Sequence, residues 1–415
     1  MNPVPGLLRA GADASYGRGK NLRAVDDVVD QLIALEEWDA ADEHGAMSLG
    51  SLALSNMIAA VYEGGWQPFD LLHVVRRQQT VAVSSVAAAA ILHQSDLSDA
   101  DMRAPQDWVD QLSEICATYP RVASHTEATP SFLAALLRSH GRTDYMARND
   151  LWQSVLALLG QWQTLPRWPR IGPLPSQWPK KRAPAAPRST TGPDTPNDKA
   201  LGRIRGLLAK ADATDFDEEA ETLTAKAQEL MTRYSIDSLL LTEGNVDVVS
   251  RRLHVDNPHA PAKAQLLHGV SEVNRVKSIW DPTYAVATLV GTPVDVEQTE
   301  LLFTSLLIQA TRALSHSPKA KRRKGSASAA FGKAFLYAYA VRIGERLAGA
   351  DAHVVEEASE QAGDLLPMLA AQTVAVEEEF ERLFPSVRAM RGPRLDAEGW
   401  DSGHAAADEA DLQRP

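Results

Sequence analysis

Five cations crowd six positions at Lys319, Lys321, Arg322, Arg323 and Lys324, directly before Gly325 and Ser326. Such density concentrates positive potential where a turn can reach a phosphate backbone. The run contains no aromatic residue, so it suits contact with a duplex backbone better than stacking on single-stranded bases. It sits in a basic block, 251–350, with 14 Lys and Arg against 7 Asp and Glu. Arg251, Arg252, Arg275, Lys277, Arg342 and Arg346 are expected to extend the patch in space. The competing reading is a solvated turn, or one neutralised by the acids Glu377, Glu378, Glu379 and Glu381.

Other chemistries find less support. The eleven histidines are scattered, no His-Glu-x-x-His occurs, and one cysteine cannot build a thiolate zinc site. His404, Asp408 and Asp411 share a helical spacing, but a solvated helix turn explains them more simply. Glu43 and His44 likewise read as a polar helix face. Neither a phosphate-binding glycine loop nor Gly-x-Ser-x-Gly is present. Gly291-Thr292-Pro293 opens a helix whose N-terminus suits an anion, with capping as its simpler job. Cys116 reads as a lone packed thiol, excluding an intramolecular disulfide and fitting a reducing cytoplasm.

The elements that must position these groups are mostly helical. Leu201, Ile204, Leu207 and Leu208 share one face of a helix predicted over 199–210, capped by Asn197 or Asp198. A second helix starts near Asp215, where Glu218 completes a capping-box spacing. It carries a stripe of Ala220, Leu223, Ala227, Leu230, Met231 and Tyr234. Neither helix is long enough to persist alone, so both stripes must be buried.

The pair Ile204-x-x-Leu207-Leu208-Ala209 and Ala220 through Lys226-Ala227-Gln228 to Leu230-Met231 resembles the domain of unknown function 2786 family. The whole chain is similar to multi-domain actinobacterial members, with Trp66 to Gln78 in a helical N-terminal part and a companion domain of unknown function 7168 after the hairpin. The resemblance implies no enzyme activity.

Around this hairpin the expected fold class is mainly α, with a small α+β C-terminal domain containing a β-hairpin. The expected organisation is a disordered N-terminus at 1–21, a helical domain at 22–164 and a proline-rich basic linker at 165–197. The hairpin at 198–240, an α+β domain at 248–384 and a loose acidic tail at 385–415 follow. Within 22–164, one long helix is expected from Pro68 to about His93. Nine prolines in 165–197 forbid sustained helices or central strands there. Trp168 and Trp178, beside Arg and Lys, either stack on a partner or tack the linker onto a neighbouring domain. In the C-terminal part, 251–256 and two segments flanking Asp281-Pro282 read as strands. Long helices follow from Pro293 and from Ser326 to Ala350, the second apolar around most of its circumference.

No signal peptide or membrane span is expected; the uncharged run at 78–95 is too rich in Ala, Ser and Gln. These features point first to a cytoplasmic, non-catalytic nucleic-acid-associated or accessory protein that contacts phosphate through the basic run, with no cofactor and no metal. A protein-interaction adaptor using Leu207, Leu208, Leu223, Leu230, Trp168 and Trp178 is the alternative. An uncharacterised hydrolase, needing separated histidines and carboxylates to converge, is the third.

Overall fold

Helical periodicity, punctuated by glycine, proline and capping hydroxyls, organises the chain into two units, Met1–Arg188 and Ser189–Pro415. The structure is a computed structural model. It describes residues 2–17, 19–38, 45–123, 131–139, 145–180, 196–214, 217–241, 246–361, 365–386, 401, 402 and 404.

The first unit is helical, with α1 (Val4–Ser15), α2 (Leu22–Trp38), α3 (Ala46–Glu63), α4 (Pro68–Gln78), α5 (Val81–Leu97), α6 (Ala100–Arg103), α7 (Gln106–Thr118), α8 (Pro120–Ala123), α9 (Phe132–Ser139) and α10 (Tyr145–Trp162). Helix α5 is its centre, because Val86 to Gln94 are buried without interruption. A helix apolar all round must be surrounded, and α3, α4, α7, α9 and α10 pack on it. The helix expected from Pro68 to His93 is two. Gln79 is extended, and the Thr80 hydroxyl caps α5 by accepting from the Val83 amide.

The N-terminal stretch expected to be disordered contains α1, which buries Val4, Leu8, Gly11 and Ala12. Its seat is shaped by glycine: a Cβ on Gly160 of α10 would lie 2.4 Å from Ser15 Oγ and 2.5 Å from the Ala12 carbonyl. The start of the proline-rich segment also departs from a free linker. Trp168 stacks on Trp66 at 4.1 Å, its amide donates to the Gly64 carbonyl at 2.8 Å, and Trp178 meets Trp108 edge-on at 5.0 Å. Gly65 (φ 96) lets the Trp168 carbonyl approach where any side chain would clash.

In the second unit, α11 (Pro196–Ala213) and α12 (Asp217–Leu240) form the hairpin. Asp215 lies outside the described residues. Then come β1 (Val249–His254), α13 (Ala260–Val273), β2 (Lys277–Asp281), β3 (Val286–Gly291), α14 (Pro293–His316), α15 (Pro318–Lys321), α16 (Gly325–Gln361) and α17 (Leu365–Leu383). The fold is therefore mainly α with one small antiparallel sheet, ordered β1-β3-β2. The expected strand hairpin is β2–β3, turned by the Asp281 carboxylate accepting from the Thr283 and Tyr284 amides. Strand β3 is central and wholly buried, with Leu289 opposite both Arg251 and Ser278.

One core joins these elements: Ile204, Leu208, Ala227 and Met231 from the hairpin, Leu266, Leu267 and Val270 from α13, and Leu302, Leu306, Phe331, Phe335 and Ile343 from the long helices. The hairpin's turn is tied to α14 by Arg312, which donates to the Thr214 carbonyl at 2.6 Å and to the Asp212 carbonyl. These acceptors lie in the last turn of α11 and just beyond it, where helix carbonyls lack intrahelical partners. Among the described residues, no helix is long and apolar enough to cross a membrane.

The docking of α1 yields a paired prediction. Gly160→Ala should destabilise the N-terminal unit by about 1–3 kcal/mol through overpacking against Ala12 and Ser15. Gly6→Ala, with open space around its Cβ, should be neutral or stabilising by up to about 1 kcal/mol. Urea denaturation of both variants checks this; equal effects would mean that α1 is not seated on α10.

Candidate nucleic-acid interface

The basic turn is built by two apolar anchors. Helix α14 ends at His316, and the Ser317 hydroxyl caps α15 by accepting from the Ala320 amide at 3.4 Å. Ala320 and Leu314 pack on the core beside Phe331. Arg322 closes α15, and Gly325, at φ 58, starts α16 in a conformation that glycine takes without strain. The Arg323 guanidinium lies 4.8 Å from the centroid of the buried Phe331 ring. Such a cation–π contact contributes about 0.5–1 kcal/mol at a partly exposed site.

Of the five sequence candidates, Arg323 thus anchors the turn, and Lys319, Lys321, Arg322 and Lys324 are exposed. Among the described residues, no ion pair to a carboxylate involves these four. Two of the four acids expected to neutralise them are engaged elsewhere: Glu377 pairs with Lys277 at 2.6 Å, and Glu379 with Arg382 at 2.6 Å.

The expected extension of the patch is not what these arginines and Lys277 do. Arg251 pairs with Glu300 at 2.8 Å and Arg342 with Glu345 at 2.8 Å. Arg275 grips both oxygens of Asp351, at 2.8 and 3.1 Å. Arg252 is buried in β1, and Arg346 also has an interaction partner. Arg251, Arg275 and Lys277 thus each neutralise a carboxylate on another element, which a linear charge count cannot reveal.

Most of the adaptor candidates are packed within their own units. Leu208 is 4% exposed, and Leu207 and Leu230 pack against the same core. Leu223 is half-buried. Trp178 is 6% exposed, and Trp168 is stacked as described above. Glu43, His44, Asp408 and Asp411 lie outside the described residues. Burial and the Asp96 carboxylate both push the Cys116 thiol upward, opposite to the shift that activates a nucleophile.

One buried polar cluster lies outside the residues picked out from the sequence. Asp295 is 1% exposed. Its carboxylate accepts from Ser235 at 2.6 Å, Thr292 at 2.8 Å and the Gln372 amide, so α12, α14 and α17 meet on it. Burial raises its pKa above the ordinary carboxylate value, and the hydrogen bonds and Arg275 only partly oppose that. Nearby in sequence, both amide atoms of buried Gln298 and the hydroxyl of Thr299 lack protein partners. The Asp295 oxygens face three donors of this chain, an arrangement that clamps helices rather than receiving a substrate.

A groove of about 520 Å³ runs between α13 and α16, where Gly269, Ala340 and Gly344 let the helices approach closely. Its Arg275 and Asp351 satisfy each other. Among the described residues, no group of three or more His, Cys, Asp and Glu is clustered as a metal site requires.

Residues 199–238 match the family described as "Protein of unknown function (DUF2786)", a span that covers nearly all of α11 and α12. No curated protein and no solved structure matches the chain.

The Asp295 clamp has a defined pH signature. A raised native pKa means that the folded state takes up this proton before the unfolded state does. Its contribution is therefore fully present below the unfolded pKa and lost as pH rises through the folded one. Wild-type stability should fall relative to Asp295→Asn over that interval, by at most about 1.4 kcal/mol per pH unit. Parallel denaturation at a series of pH values checks this; a constant difference between the two proteins would contradict it.

Proposed function

We propose that this is a cytoplasmic, non-catalytic nucleic-acid-associated protein whose basic turn contacts the phosphate backbone. The observation that carries the reading is the exposure of Lys319, Lys321, Arg322 and Lys324 on a turn anchored by Ala320 and Phe331, while Arg251, Arg275, Lys277 and Arg342 of the same block are paired with carboxylates. Anchoring matters because a preordered turn loses less freedom on binding than a floppy one. The companion domain of unknown function 7168 is the proposed identity of the segment after the hairpin, in a multi-domain protein of the actinobacterial type.

The contact is one of charge, so its signature is salt. Four phosphate contacts give a slope of log affinity against log salt of about −3.6, or roughly a hundred-fold loss between about 50 and about 200 mM. The full chain titrated into a labelled DNA duplex should show this dependence. Replacing Lys319, Lys321, Arg322 and Lys324 with Glu, leaving Arg323 on Phe331, should abolish binding without lowering thermal stability. Absence of duplex binding at low salt would retire the reading.

A further inference from the structure

Two further lysines and a histidine meet beside the same helix starts, and none of them belongs to the linear run. His259 precedes α13 in a left-handed conformation, φ 65, and its ring lies on α16 at Gly332: a Cβ there would be 2.8 Å from His259 Nε2. The same Cβ would be 3.5 Å from Leu314, in the last turn of α14 before the basic turn. Lys333 is the next residue of α16, and Lys263 lies one turn into α13. Both lysines are half-buried, and Lys263 Nζ donates to the Asp256 carbonyl oxygen at 2.9 Å.

The two ammonium groups disfavour a charged imidazole. Burial first, then Lys263 and Lys333, hold the His259 imidazole below its ordinary value. Burial likewise lowers the Lys263 ammonium, and Asp256 opposes that shift on Lys263. The groups bearing on His259 are thus Lys263 from its own helix and Lys333 from α16, while α14 presents apolar Leu314. A half-buried concentration of positive potential of this kind is relieved by an anion.

The geometry points to His259, Lys263 and Lys333 as a second phosphate contact, so that one nucleic-acid backbone lies across the basic turn and the start of α13. This rests on the nucleic-acid reading of the basic turn and extends it to residues scattered over 75 positions. The two sites adjoin through Leu314, which lies in the last turn of α14 just before the basic turn and 3.5 Å from the same Gly332 Cβ position that His259 meets. Because an anion favours the imidazolium, binding takes up a proton at His259 and strengthens as pH falls.

The test uses the full chain and two readouts. Salt titrations with a labelled DNA duplex compare wild type, the Lys263→Gln/Lys333→Gln double variant and the basic-turn variant. Histidine NMR follows the His259 pKa alone, with duplex, and with inorganic tripolyphosphate; His259→Ala assigns the resonance. The expected results are a salt slope smaller by about 1.8 in the double variant, and a His259 pKa raised by the duplex in wild type. An unchanged slope and an unmoved His259, with binding still abolished in the basic-turn variant, would overturn this second contact and leave the basic-turn reading standing. No duplex binding by wild type, with His259 still raised by tripolyphosphate, would overturn the nucleic-acid reading and with it the backbone assignment made here. Thermal melts of each variant separate lost contacts from lost folding.

Discussion

The C-terminal unit depends on the burial of one long helix, Gly325–Gln361. Phe331, Phe335, Leu336, Tyr339, Ile343 and Leu347 are all nearly inaccessible, and each contributes about 1.5–3 kcal/mol when fully buried. A helix apolar on that many sides cannot be satisfied by one neighbour, so α12, α13, α14 and α17 all contact it. Exposed ion pairs contribute about 0–1 kcal/mol each. Apolar burial therefore sets the arrangement, and charge is distributed over what burial leaves outside.

That ordering explains the basic turn. Where α14 and α16 leave the core, the chain must connect them, and Ala320 with Phe331 decides which side chains face inward. The cations take the remaining directions. Two charged groups near the core are instead matched: Asp295 collects three donors from three elements, and Arg275 closes on Asp351. Breaking such a buried match costs more than the match contributes, because the surviving group is left desolvated. These clamps thus specify helix positions more than they add stability.

Much of the fold was legible because its signals are local. The α11–α12 stripes, the Thr292-Pro293 start of α14, the Asp281 turn and the all-round apolar α16 each lie within a few turns of sequence. What was misread involved partners far along the chain. The segment before residue 21 looks loose until Leu156 and Gly160 of α10 supply its seat. Trp168 and Trp178 look available until Trp66 and Trp108 meet them. The break at Gln79-Thr80 was a weaker signal than the continuous apolar run around it, although Thr80 is a good cap.

The sequence by itself determined the helical character, the small antiparallel sheet, the α11–α12 hairpin and the existence of a dense cationic run, since periodicity, capping and composition act over short distances. Tertiary structure alone decided which charges remain outside and which are consumed. Arg251, Arg275 and Lys277 find carboxylates on other elements. His259, Lys263 and Lys333, unremarkable in the linear order, come together because α13 packs across α16 at Gly332. Electrostatic interaction depends on distance in space and on local burial, and neither quantity is written in the order of residues.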